Sequence, residues 1–133
     1  MQIVLDVNIL VSIAIDTLKP ISTAWRALEF TVLSSEELVI ELEDVLPRKK
    51  LQKYLTTEKI DLFLQEFEIL SKPIYIEEPF PEFIDPKDRY ILAMLEHEEV
   101  ELLVTSDKAL LRLETHTGKN IIHPSDFVRG YLI

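Results

Sequence analysis

Asp6 and Asp107 each close a run of apolar residues: Ile3-Val4-Leu5 before the first, Leu102-Leu103-Val104 and then Thr105-Ser106 before the second. A short unbroken apolar run is what a strand requires when both faces of its sheet are covered, and such strands are usually parallel. Ligands of an open parallel sheet bind beyond the carboxyl ends of its strands, so an acid at that end faces the site and not bulk solvent. Two such acids point to a cation. A third candidate, Asp88, precedes Ile91, Leu92 and Leu95 at helical spacing and so falls on an apolar stripe. A carboxylate there must be paired, hydrogen-bonded or metal-bound, because isolated burial of a charge is costly.

Each acid also has a purely structural explanation. Asp6, Asp85 and Asp107 stand where helix N-caps stand, and Asn8, Thr105 and Ser106 could share that duty. Asp85, directly before Pro86, reads mostly as a cap. On the helix expected from Ser35 to Leu46, the buried stripe is Leu38, Val39, Leu42, Val45 and Leu46. Glu41 and Glu43 flank that stripe on opposite sides, and periodicity does not choose between them.

Other chemistries lack their parts. The chain has no cysteine, which excludes disulfides, zinc–thiolate sites, iron–sulfur clusters and thiol nucleophiles. With two glycines it carries neither of the Gly-rich phosphate loops nor a G-x-S-x-G elbow. His97, His116 and His123 fall on separate elements, so no imidazole pair is expected. What remains is carboxylate and hydroxyl oxygen, the ligand set of Mg²⁺ or Mn²⁺ and not of Zn²⁺. The net charge of −10 sits awkwardly with a polyanionic substrate, but cation ligation would offset part of it. The basic residues are grouped as Arg48, Lys49, Lys50 and Lys53, then Lys87 and Arg89, then Lys108 and Arg112. From these, Lys50, Arg89 and Lys108 are the candidate phosphate contacts.

The elements that must position these residues alternate between strand and helix. Strands are expected at 3–6, 30–33, 74–76, 101–104 and 121–122. Helices are expected at about 7–16, from Pro20 to Leu28, from Ser35 to Leu46, over 49–70 as a helical hairpin with Thr57 as an N-cap, from Asp85 to Glu98, from Asp107 to Glu114, and from Pro124 onward. Thr117-Gly118-Lys119-Asn120 reads as a turn. With 133 residues, 47% of them apolar, the chain is expected to form one domain over 1–133. Its expected architecture is a three-layer α/β/α sandwich around a central parallel sheet with right-handed crossovers. No run approaches the roughly 18 apolar residues of a membrane span, and no secretory leader is evident, so a cytoplasmic location is expected.

In its order of motifs the sequence resembles the PIN domain, and within that superfamily the bacterial toxin proteins related to VapC-like ribonucleases. Residues 3–12, Ile3-Val4-Leu5-Asp6-Val7-Asn8-Ile9-Leu10-Val11-Ser12, resemble the family's opening D-T-N-x-L-V-S. Ser35 to Leu46 resembles its S-x-x-x-x-x-E-L-x-x-V-L helix, which selects Glu41. Asp85-Pro86-Lys87-Asp88 with Ile91-Leu92-Ala93 resembles D-P-x-D-x-x-x-L-A, Leu103 to Asp107 with Leu110-Leu111 resembles V-T-x-D-x-x-L-L, and Ile122 to Phe127 resembles I-x-x-P-x-x-F. Val7 stands where a hydroxyl residue is common, and Ser106 where glycine is frequent.

The resemblance implies that Asp6, Glu41, Asp88 and Asp107 are catalytic acids holding Mg²⁺ or Mn²⁺, with Asn8, Asp85 and Thr105 as supporting polar groups. It implies an endoribonuclease that hydrolyses phosphodiesters, a small antitoxin protein as partner, and a homodimer. Two rival readings stand beside it. One is a Mg²⁺-dependent phosphatase or phosphotransferase with Asp6 as nucleophile, although Asn8 and Leu10 do not complete its D-x-D-x-T pattern. The other is a catalytically silent PIN-like domain whose acids bind a partner's basic arm.

Overall fold

Ile3, Val4 and Leu5 expose no surface, and the strand they belong to, β1 (Gln2–Leu5), lies inside a six-stranded sheet. The structure is a computed structural model and describes residues 1–132. Strands β2 (Thr31–Ser34), β3 (Ser71–Pro73), β4 (Leu102–Val104), β5 (Thr115–His116) and β6 (Lys119–Ile122) complete the sheet in the order β3-β2-β1-β4-β6-β5. All pairings are parallel except β5 with β6, which form an antiparallel hairpin across Thr117 and Gly118, both at positive φ. Glycine adopts that backbone conformation without steric cost.

Among the described residues seven α-helices accompany the sheet: α1 (Val7–Ala14), α2 (Lys19–Arg26), α3 (Glu36–Val45), α4 (Thr57–Leu70), α5 (Arg89–Glu96), α6 (Lys108–Leu111) and α7 (Pro124–Tyr131). The result is the expected α/β/α sandwich. From β1 the chain adds β2 and then β3 on one side, then returns to the other side of β1 with β4. The sheet order therefore reverses between β1 and β4, the place where a parallel sheet opens a crevice beyond its carboxyl ends.

Several local expectations shift. The helical hairpin over 49–70 is instead one 3₁₀ turn, Lys49–Leu51, followed by α4, and the N-cap is Thr56 and not Thr57: its hydroxyl accepts the Lys59 N–H at 3.2 Å. The third strand pairs at 71–73, upstream of Ile74-Tyr75-Ile76. Ile74 and Ile76 are buried and Tyr75 exposed, so the alternation is real; the Ile74 N–H still donates to the Ser34 carbonyl of β2 at 2.8 Å, and the segment beyond it packs extended beside the sheet. Asp88 ends a 3₁₀ turn, Pro86–Asp88, ahead of α5 and does not lie within the helix.

Trp25, Phe67 and Phe127 are the largest fully buried side chains. Trp25 packs edge-on against Phe63 at 6.4 Å and tilted against Phe67 at 6.1 Å between ring centroids, which fastens α2 to α4. Removing so large a side chain leaves a cavity the rigid sheet cannot close. Trp25→Ala is expected to destabilise the fold by about 3–5 kcal/mol; urea denaturation measures this, and an unchanged midpoint would contradict the packing.

Candidate metal centre

Asp6 follows β1 directly and caps α1. Its Oδ1 accepts the Val7 N–H at 2.8 Å, and its Oδ2 accepts the Thr105 hydroxyl at 2.7 Å. Thr105, fully buried just past β4, accepts the Asp107 N–H on the same oxygen at 3.0 Å. One hydroxyl thus joins the ends of β1 and β4. Asp107 then caps α6, its Oδ1 accepting the N–H groups of Ala109 at 2.8 Å and Leu110 at 3.4 Å. Both strand-end aspartates are caps and both line the same cleft, so capping does not take them out of it.

Ser35 starts α3 by accepting the Leu38 N–H at 3.2 Å, while its hydroxyl meets Met94 Sδ of α5, also at 3.2 Å. This cap fixes the rotation of α3 against α5. Leu38 and Leu42 are buried, and Glu41 projects beside them toward α5, where its Oε2 accepts the Tyr90 hydroxyl. Asp88, held in the turn before α5, is only 9% exposed. Asp6, Glu41, Asp88 and Asp107 together line one cleft of about 510 Å³ at the switch point of the sheet. Glu43, the alternative that periodicity left open, lines a different groove.

Of the remaining expected site residues, Asn8 and Lys50 also line the cleft. Thr105 lies behind it on Asp6, and Asp85 stands outside it, capping the 3₁₀ turn through the Lys87 N–H at 3.3 Å. Arg89 and Lys108 are not among the lining residues; Arg89 Nε instead donates to the Ile84 carbonyl at 3.4 Å. The cleft also holds residues the sequence reading did not select: Tyr90, Asp44, Arg48 and Lys87. Tyr90 had one legible signal, a lone hydroxyl in the apolar run Tyr90-Ile91-Leu92-Ala93-Met94-Leu95. The direction of the cations had none.

Burial pushes the Asp6 carboxyl up from 3.8 to about 6 against the pull of its Thr105 and Val7 hydrogen bonds, with the charges of Glu41 and Asp88 adding to the rise. Asp88 also rises from 3.8 to about 6, through burial first and the charge of Asp107 next, with Lys87 opposing. The Tyr90 phenol is raised as well, by burial and by its bond to Glu41. Burial, more than mutual repulsion, sets these shifts.

The donor set is all oxygen and mostly carboxylate, which fits a hard divalent cation in kind, and a cation would relieve the two buried acids. Among the described residues, no three acidic or histidine side chains already stand in an arrangement that holds an ion. Side-chain rotation would have to bring the ligands together.

A family model for the PIN domain matches residues 2–109. The chain belongs to the PIN domain family. No curated protein and no solved structure matches it. PIN domains are typically nucleases that use divalent metals, and the matched span includes all four acids of the cleft. In this PIN domain Val7 is buried in the core and meets Asp6 through its backbone N–H, while the Thr105 hydroxyl binds the other carboxylate oxygen.

The raised carboxyls give a signed pH dependence. An acid whose native pKa lies above its unfolded value favours the protonated fold, so its contribution is full below about 3.8 and is lost as pH rises through about 6. For Asp6 the loss is on the order of 2–3 kcal/mol. Stability of the metal-free protein should fall between pH 4 and 7, and Asp6→Asn should remove about half of that fall, the Asp88 share remaining; denaturant titrations across this range test it, and identical profiles would refute the assignment.

Proposed function

We propose that this PIN domain is a Mg²⁺- or Mn²⁺-dependent endoribonuclease acting on single-stranded or looped RNA, and that it is the toxin of a toxin–antitoxin pair. The observation that carries this reading is the convergence of Asp6, Glu41, Asp88 and Asp107 on one cleft at the switch point of a parallel sheet. A bound divalent cation supplies water activation near neutral pH and neutralises charge on the leaving oxygen. Asp6, Asp88 and Asp107 would ligate it, with Glu41 completing the set.

Residues of the chain do the rest. Thr105 holds Asp6 in place, so its hydroxyl orients a ligand without touching substrate. Tyr90 does the same for Glu41. Lys50 and Lys87 at the cleft provide the positive charge that an RNA backbone needs in a protein of net charge −10, Arg48 being paired with Asp44 at 3.0 Å. In this reading residues 1–133 form one domain that works in the cytoplasm as a homodimer, restrained by a small antitoxin that brings a basic side chain to the acids.

Among the described residues no three-ligand arrangement stands preformed, and one second reading, a catalytically silent PIN domain, is kept beside the first. Two measurements separate them. Mixed structured RNAs incubated with the protein and Mn²⁺ should be cleaved, and cleavage should disappear with EDTA or in the Asp6→Asn/Asp88→Asn variant; metal-independent or variant-insensitive cleavage would overturn the proposal. Mn²⁺ at a hundredfold excess over its Kd should stabilise the wild type by about 2.7 kcal/mol at pH 7 and leave the double variant unmoved. No stabilisation and no cleavage would establish the silent reading.

A further inference from the structure

On the face of α3 opposite the acid cleft, a second and larger groove of about 750 Å³ opens between α3 and α4 and ends against β3. Its apolar lining comes from Val39, Ile40, Leu64 and Phe67. Ile40 is 60% exposed in the middle of a well-formed helix, an apolar side chain offered to solvent beside other apolar surface. Four carboxylates rim the groove: Glu36, Glu43, Asp61 and Glu68. None of the four is in an ion pair among the described residues, and no lysine or arginine lines the groove.

These features choose the occupant. A second copy of the chain is disfavoured at this groove, where its net charge of −10 would meet a rim of uncompensated acids, so the homodimer of the proposed function would pair through another face. An added strand is disfavoured too, because β3 is the edge of the sheet and Pro73 there has no N–H to offer. A groove between two helices with an apolar floor suits the apolar face of a third helix, whose anchors recur at i, i+3, i+4 and i+7. The acidic rim requires lysine or arginine on the flanks of that helix.

We propose that the α3–α4 groove is a docking site for a basic amphipathic helix of a partner protein. The site is separate from the acid cleft and does not depend on the nuclease reading. Its probe is a labelled synthetic peptide of about 16 residues, long enough to hold a helix when bound, with leucines at i, i+4 and i+7 and lysines on both flanks. Two control peptides replace the leucines by alanine or the lysines by glutamate.

Fluorescence anisotropy should show saturable binding of the first peptide and binding weaker by about tenfold or more for each control. Ile40→Lys, at an exposed helical position, should weaken binding by a similar factor. Glu43→Lys/Glu68→Lys should do so as well, and should gain affinity for the glutamate peptide, a charge swap that a misfolded variant would not produce. The proposal is overturned if the alanine control binds as well as the leucine peptide, or if Ile40→Lys has no effect. It is also overturned if sedimentation shows a dimer that Ile40→Lys abolishes, because a second copy would then cover the groove. RNA cleavage in the same variants should be retained, so loss of this site and loss of the nuclease reading are told apart.

Discussion

A carboxylate taken out of water at the end of a central strand must be compensated locally, and much of the architecture around the cleft follows from that requirement at Asp6. The first N–H of α1 is placed against one of its oxygens and the Thr105 hydroxyl against the other. Because Thr105 can reach only if β1 and β4 are adjacent and in register, the compensation depends on the pairing of Leu5 with Val104. The same hydroxyl accepts from Asp107, so the second strand-end acid is located by the first. Two hydrogen bonds do not cancel the burial, which is why the carboxyl still titrates high.

Much of this was legible in the sequence, and the reasons differ from residue to residue. Asp6 and Asp107 could be read because an acid that ends an apolar run in a covered parallel sheet stands at the mouth of the crevice whether or not it also caps the next helix. Asp88 reached the right place for an incomplete reason: its spacing suggested a buried helical stripe, whereas a 3₁₀ turn delivers it to the cleft before α5 begins. Glu41 could not be separated from Glu43 by periodicity, since the two lie either side of one stripe and only the neighbouring helices decide which side faces the acids. The third strand was displaced because alternation reports burial, and the burial of Ile74 and Ile76 runs on past Pro73, where the paired register ends.

Cations were the least legible part. Lysine and arginine carry their charge at the end of a long flexible stem, so a shift of one turn redirects the charged group by many ångströms. Lys50 and Arg48 face the cleft because the chain makes one tight turn after α3 where the first arm of a helical hairpin was expected. Arg89 is spent on the connecting segment, donating to Ile84. An acidic protein can thus present local positive charge beside its acids without altering its overall balance.

Helix α3 has almost no idle face. Leu38 and Leu42 are committed to the interior, Glu41, Asp44 and Val45 to one opening, and Glu36, Val39, Ile40 and Glu43 to another. Ten residues therefore serve as a partition wall between two compartments. A wall of this kind cannot be pushed from one room without moving in the other. If anything settles on one side and shifts the helix, its effect on what binds the other side must be returned in equal measure, because such coupling is reciprocal by thermodynamic necessity.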